Sequence, residues 1–91
     1  MNMAIVGATG NVGRKILEVL ENKSFPVDSL YLVASSKSAG SKLKFKGKEI
    51  KVENLETFDF SKAKITFFSA GGKISEKYAP LAAKHSTVID S

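Results

Sequence analysis

The sequence predicts an α/β fold, one half of a doubly wound, mostly parallel sheet with helices on both faces. Three observations predict it. Short apolar runs at residues 3–6, 30–34, 65–68 and 87–89 alternate with segments of helical period. These runs are continuously apolar, as strands covered on both faces are, and do not alternate with polar residues. The first run passes straight into a glycine turn and then a helix, in the stretch "IVGATGNVGRKIL".

Residues 3–6 form a short buried strand that ends at the glycines. In the helix that follows, Val12, Ile16, Val19 and Leu20 recur at helical spacing with Leu17 on their border, while Arg14, Lys15, Glu18 and Glu21 take the outer face. The helix is expected to stop near residues 22–24, before "FPVDS". The strand at 30–34 runs into the small polar cluster "SSKSAGS", a loop. Next, "KLKFKGKEIKV" alternates polar and apolar residues about a turn at Lys46, Gly47 and Lys48, the pattern of a solvated hairpin. The stretch "NLETFDFSKAK" reads as a connector with a short helix, and the strand at 65–68 exits through "SAGG". Ile74, Tyr78, Leu81 and Ala82 then favour a helix that Pro80 kinks or starts, and residues 87–89 form the last strand.

Composition narrows the function classes. A chain of 91 residues builds one core, and with 43% hydrophobic and 25% charged residues it falls in the globular range. No apolar run approaches the about 18 residues of a membrane span, and no secretory leader opens the chain, so a cytoplasmic location is expected. With no cysteine and a single histidine, His85, neither thiol nor conventional zinc chemistry is available, and no metal site is expected. The net charge of +5 is concentrated at Lys37, Lys42, Lys44, Lys46, Lys48 and Lys51, which invites a nucleic-acid reading. The period-2 pattern favours a charged edge strand that resists edge-to-edge pairing, and Phe45 alone offers no stacking platform for a single strand.

Gly7, Gly10 and Gly13 are spaced G-x-x-G-x-x-G, one residue away from the usual dinucleotide fingerprint. In a strand-turn-helix unit the first glycine permits the turn, the second admits a diphosphate and the third lets the helix pack closely. The helix-start amides around Thr9, Gly10, Asn11 and Val12 are anion donors, and Thr9 adds a hydroxyl. A purely structural turn would need fewer glycines. A carboxylate for the ribose 2′-hydroxyl of NAD belongs at the end of the second strand, where this chain has Ser35, Ser36, Lys37 and Ser38. Three hydroxyls and an ammonium suit a 2′-phosphate, which argues for NADP. Ser69, Ala70 and Gly71 leave the C-terminal end of a later strand, where open sheets place their ligands, although turn chemistry accounts for the same small residues. His85, late in the second helix or at its exit, reads as a surface or capping residue, and Lys73, Ser75 and Tyr78 have no evident general-base partner, so no catalytic residue is assigned.

The ordered set "VGATGNVGRKIL", "ASSKSAG", "FFSAGGKISEKYAP" and "VIDS" resembles the N-terminal cofactor-binding portion of the aspartate-β-semialdehyde dehydrogenases, through essentially all 91 residues. The resemblance implies a Rossmann-like domain over residues 1–91 and NADPH-dependent reductive dephosphorylation of aspartyl phosphate to aspartate semialdehyde, on the route to lysine, threonine and methionine. It implies Thr9, Gly10, Asn11 and Val12 at the diphosphate, Ser35, Lys37 and Ser38 at the 2′-phosphate, and Ser69, Ala70 and Gly71 near the nicotinamide. The family often has arginine at the position of Lys37, and lysine there implies looser selectivity. The family's cysteine nucleophile and substrate-binding groups belong to a catalytic and dimerisation domain that is expected to lie beyond Ser91, so the chain alone is not expected to turn over and the homodimer is expected of the complete enzyme. "GATGNVG" also resembles atypical short-chain dehydrogenase-like proteins, but no Tyr-x-x-x-Lys pair occurs, since Tyr31 leads to Ser35 and Tyr78 to Ala82.

Overall fold

The computed structural model describes residues 1–23 and 26–90; Ser24, at the expected helix stop, and Ser91 lie outside the described residues. The elements follow the order β1 (Asn2–Val6), α1 (Asn11–Asn22), β2 (Ser29–Ala34), β3 (Lys42–Phe45), β4 (Lys48–Asn54), a 3-10 turn (Phe60–Lys62), β5 (Ile65–Phe68), α2 (Gly72–Ala82) and β6 (Thr87–Asp90). The six strands form one sheet in the order β3-β4-β2-β1-β5-β6. Every neighbouring pair is parallel except β3 with β4. No helix among the described residues is long and apolar enough to cross a membrane.

Side chains alternate along β1 into two cores, because a strand covered on both faces must be apolar at every position. Met3 and Ile5 point with Leu30 and Leu32 towards Leu17 and Leu20 of α1. Ala4 and Val6 point with Val33 and Phe68 towards Ala82 of α2 and the connector aromatics Phe58 and Phe60. Tyr31, Phe58, Phe60 and Phe68 form a chain of ring contacts at 5.7, 5.2 and 6.1 Å between centroids. The hydroxyl of fully buried Thr66 meets that of Ser86 at 2.8 Å, so this polar group brings no unpaired desolvation cost into the core.

The lysine hairpin forms as expected, with the turn shortened to Lys46 and Gly47. Phe45 pairs with Lys48, and both turn residues have positive φ, 50° and 81°, as a two-residue type I′ turn requires. Lys42, Lys44 and Lys51 are exposed while Phe45 and Val52 are buried. The edge is therefore a solvated one.

Two helix faces differ from the periodicity. The buried residues of α1 are Gly13, Leu17 and Leu20, whereas Val12 and Val19 are 51% and 46% exposed. Gly13 sets the rotation: an ideal Cβ there would lie 2.2 Å from the Gly7 carbonyl oxygen, so the helix rests on the turn at that point and the Leu17–Leu20 side turns inward. In α2, Leu81 is 46% exposed and the helix packs through Ser75, Tyr78, Ala79 and Ala82. Pro80 neither starts the helix nor ends it. It occupies the final turn, and the Ala83 amide still reaches the Ala79 carbonyl at 2.8 Å.

Asp59 caps the 3-10 turn, accepting from the Ser61 amide at 3.0 Å and the Ser61 hydroxyl at 2.6 Å. The hydroxyl first, and then the amide, holds its carboxyl below the ordinary value of 3.8. Because the folded value lies below the unfolded one, this stabilisation is complete above the ordinary carboxylate range and is lost as pH falls through the lowered value. The thermal midpoint of the native chain is expected to exceed that of Asp59→Asn at neutral pH, with the gap closing as pH is lowered through that range. A gap independent of pH would rule out this source of stability.

Candidate functional site

β1 has β2 on one side and β5 on the other, and the chain crosses from the first side to the second after the hairpin and connector. This is a topological switch point, and the crevice outside the carboxyl ends of such strands is where open sheets bind ligands. The loops leaving β1, β2 and β5 meet there. They enclose a cleft of about 330 Å³ lined by Val6, Gly7, Thr9, Gly10, Ala34, Ser35, Leu55, Ser69, Ala70 and Ile74.

The three glycines of the turn do different work. Gly7 has φ +83°, a conformation few side chains adopt, and a Cβ there would lie 2.9 Å from the Ala70 Cβ, so the first and third loops abut at this point. Gly13 packs against the turn from behind. Gly10 has an ordinary extended conformation (φ −80°, ψ 172°), and a Cβ there would meet nothing nearer than the Gly7 carbonyl oxygen at 3.5 Å. The fold itself does not require glycine at this position. A bare backbone that faces an open cleft is what close approach of a diphosphate requires.

Gly10 is also the N-cap of α1, and no side chain caps that end. The Arg14 amide takes the Gly10 carbonyl at 2.9 Å, while the amides of Asn11, Val12 and Gly13 have no acceptor among the described residues. Free amides, the positive end of the helix dipole and an absence of acidic residues in the first turn together favour an anion. α2 likewise begins uncapped at Gly71, at the same end of the sheet.

The loop after β2 coils into one turn, with the Ser38 and Ala39 amides both reaching the Ser35 carbonyl at 3.0 Å. Ser35 and Lys37 are exposed, and half-buried Ser38 accepts from the Thr9 hydroxyl at 3.3 Å. That bond ties the loop to the glycine turn across 29 residues. The ammonium of Lys37 and the hydroxyls of Ser35 and Ser38 are thus carried on one turn beside the turn of Thr9. No carboxylate occurs from Ala34 to Ser41.

Of the twelve expected site residues, Gly7, Thr9, Gly10, Ser35, Ser69 and Ala70 line the cleft. Asn11, Val12, Gly13, Lys37, Ser38 and Gly71 do not line it, and the Val12 side chain lies in a separate apolar hollow with Ile16, Val19 and Phe67. Ser69 is an anchor as well as a lining residue, because its amide and hydroxyl both donate to the Val6 carbonyl, at 2.9 and 2.8 Å. Gly71 has φ 91° and ψ 166°, a region open essentially to glycine alone, so its backbone conformation by itself explains the residue. Leu55, Ile74, Val6 and Ala34 supply an apolar floor and were not expected. The floor could have been anticipated at the strand ends Val6 and Ala34, but Leu55 enters through a long-range amide bond to the Ala34 carbonyl at 2.8 Å.

This geometry agrees with what the chain resembles. Residues 2–91 match the family model described as "Semialdehyde dehydrogenase, NAD binding domain". The chain is 51% identical over 88 residues to aspartate-semialdehyde dehydrogenase 2 of Vibrio cholerae, covering 97% of this chain and 26% of that protein. It is 47% identical to the aspartate-semialdehyde dehydrogenase of Shewanella violacea, with the same coverage of 97% and 26%. Among solved structures it matches aspartate semialdehyde dehydrogenase II from Vibrio cholerae, complexed with ASA, at a TM-score of 0.95 and 52% identity, covering 99% of this chain and 30% of that one. A probable aspartate-semialdehyde dehydrogenase from Pseudomonas aeruginosa matches at a TM-score of 0.95 and 38% identity, covering 99% of this chain and 27% of that one. The chain spans about a quarter of the length of these relatives. A Rossmann-like sheet with its glycine turn at the switch point, and a family model matching from Asn2 onward, lead to one assignment: the chain belongs to the semialdehyde dehydrogenase NAD-binding domain family, whose cofactor is a pyridine nucleotide.

Proposed function

We propose that residues 1–91 are the NADP-binding domain of an aspartate-semialdehyde dehydrogenase, and that the cleft at the ends of β1, β2 and β5 holds the dinucleotide. The observation that carries this reading is Gly10, a glycine whose own fold leaves room for a side chain while the amides of Asn11, Val12 and Gly13 have no acceptor among the described residues. In this reading Thr9, Gly10, Asn11 and Val12 receive the diphosphate, with Gly7 and Gly13 holding the turn in place. Ser35, Lys37 and Ser38 receive the 2′-phosphate of the adenosine ribose, and Ser69, Ala70 and Gly71 flank the nicotinamide end. When bound, the coenzyme supplies the hydride.

The reaction we assign to the complete enzyme is the reductive dephosphorylation of L-aspartyl 4-phosphate. Overall, L-aspartyl 4-phosphate, NADPH and a proton would give L-aspartate 4-semialdehyde, NADP⁺ and inorganic phosphate, on the route to lysine, threonine and methionine. In the reaction the resemblance implies, a cysteine thioester carries the acyl group, and these residues contain no cysteine. This domain therefore binds and orients coenzyme, with catalysis, substrate binding and homodimer formation carried by the rest of a cytoplasmic enzyme. Alone it is expected to be inactive.

The cofactor assignment is tested by titrating the chain with NADP⁺ and NAD⁺. A 2′-phosphate held by an ammonium and two hydroxyls makes charge-assisted hydrogen bonds worth about 1.5–3 kcal/mol each when formed, reduced by their exposure to water. NADP⁺ is expected to bind about tenfold or more tightly than NAD⁺. Equal affinities would remove the 2′-phosphate from the loop after β2.

A further inference from the structure

Arg14 is exposed on α1, as its place on the outer face predicts, and it also reaches back to the glycine turn. Its Nε donates to the Thr9 carbonyl at 3.1 Å, five residues upstream. The position is electrostatically unfavourable, since Arg14 lies in the first turn of α1, where the helix dipole disfavours a cation. It is not offset by a carboxylate either: among the described residues Arg14 forms no ion pair, and its Nη groups have no protein acceptor. An exposed guanidinium is thus held against the turn with its outer donors free.

Thr9 fixes where that cation sits relative to the rest of the site. Its carbonyl takes Arg14, and its hydroxyl donates to Ser38 in the loop after β2. The guanidinium, the glycine turn and the hydroxyl-bearing loop therefore converge on one residue. Lys37 in that loop offers a compact single charge, whereas a guanidinium offers paired donors that match two oxygens of a phosphate.

We infer that Arg14 is a specificity-determining residue for the 2′-phosphate of the coenzyme, acting together with Lys37. The inference rests on the dinucleotide reading above. Nε is committed to the Thr9 carbonyl, and the Nη edge is the part that meets the phosphate. NADP over NAD preference is then shared between α1 and the loop after β2.

The test uses the 91-residue chain and its Arg14→Ala and Arg14→Lys variants, titrated with NADP⁺ and NAD⁺, and with adenosine 2′,5′-bisphosphate and 5′-AMP as fragments. Arg14→Ala is expected to weaken NADP⁺ and the bisphosphate about tenfold while changing NAD⁺ and AMP less than about twofold. Arg14→Lys, which keeps the charge and loses the fork, is expected to restore part of the difference. A purely structural role would move both coenzymes together, so equal weakening of NADP⁺ and NAD⁺ overturns the inference, as does unchanged NADP⁺ affinity in Arg14→Ala. If the native chain binds neither coenzyme, the dinucleotide reading itself fails and Arg14 fails with it; native binding with an unaffected variant sinks Arg14 alone.

Discussion

Gly10→Val is expected to lower NADP⁺ affinity by two orders of magnitude or more while leaving the fold intact. The native backbone at Gly10 is already extended, a region valine prefers, and a Cβ there has ordinary van der Waals room against the Gly7 carbonyl. The two backbone bonds that define the turn, from the Gly10 amide to Gly7 and from the Arg14 amide to Gly10, do not involve a side chain. Glycine caps through no side chain, so its loss at this N-cap costs the helix about 1 kcal/mol or less. A branched side chain would instead stand in the cleft in front of the free amides of Asn11 and Val12. Losing two charge-assisted bonds to a diphosphate removes about 3–4 kcal/mol, or several hundredfold in affinity. Far-UV circular dichroism and a thermal melt check the fold, and a coenzyme titration checks the site. Native affinity in a folded Gly10→Val chain would show that nothing anionic approaches this backbone.

The strands and the switch point were legible because their signals are local. Four continuously apolar runs, a lysine stretch alternating about a glycine turn and a strand-glycine-helix sequence each carry their own pattern, and parallel order follows from their alternation. The helix faces were less legible, since apolar count treats Val12 and Val19 as core and glycine as nothing. In the folded chain the reverse holds: Gly13 is the contact that decides the rotation of α1, because only a residue without Cβ can meet the Gly7 carbonyl. Leu81 fails in α2 for a related reason, as small Ser75 and Ala82 take the inner positions.

Within the site, residue types were readable and their partners were not. Serine at 69 suggested a small loop residue, yet its hydroxyl bonds a carbonyl 63 positions earlier, a pairing created by the β1–β5 register. The Thr9–Ser38 bond likewise depends on which loops the sheet brings to one end. Leu55 completes the floor only because β4 lies parallel to β2 and delivers the connector beside Ala34.

The neighbouring glycine gives the opposite outcome to Gly10. Gly13→Ala is expected to destabilise the chain by about 3 kcal/mol or more, lowering the melting temperature by about 12 °C or more for a domain of this size. The added methyl would lie 2.2 Å from the Gly7 oxygen, 2.8 Å from the Ala8 Cα and 2.9 Å from the Gly7 carbonyl carbon. All three are backbone atoms, so no rotamer change relieves the contact; α1 must lift away from β1 or the turn must unwind. Lifting α1 pulls Leu17 and Leu20 from the core they share with Met3, Ile5 and Leu32. Coenzyme affinity should fall too, but as a consequence of a shifted helix start and in parallel for NADP⁺ and NAD⁺. Gly72→Ala is the control: it also places a methyl in the first turn of a helix, at a glycine with nothing within 4 Å and no positive φ, and it is expected to leave the melting temperature unchanged or slightly raised. A Gly13→Ala chain that melts with the native one would mean that α1 does not rest on the glycine turn, and the rotation of its Leu17–Leu20 face would need another cause.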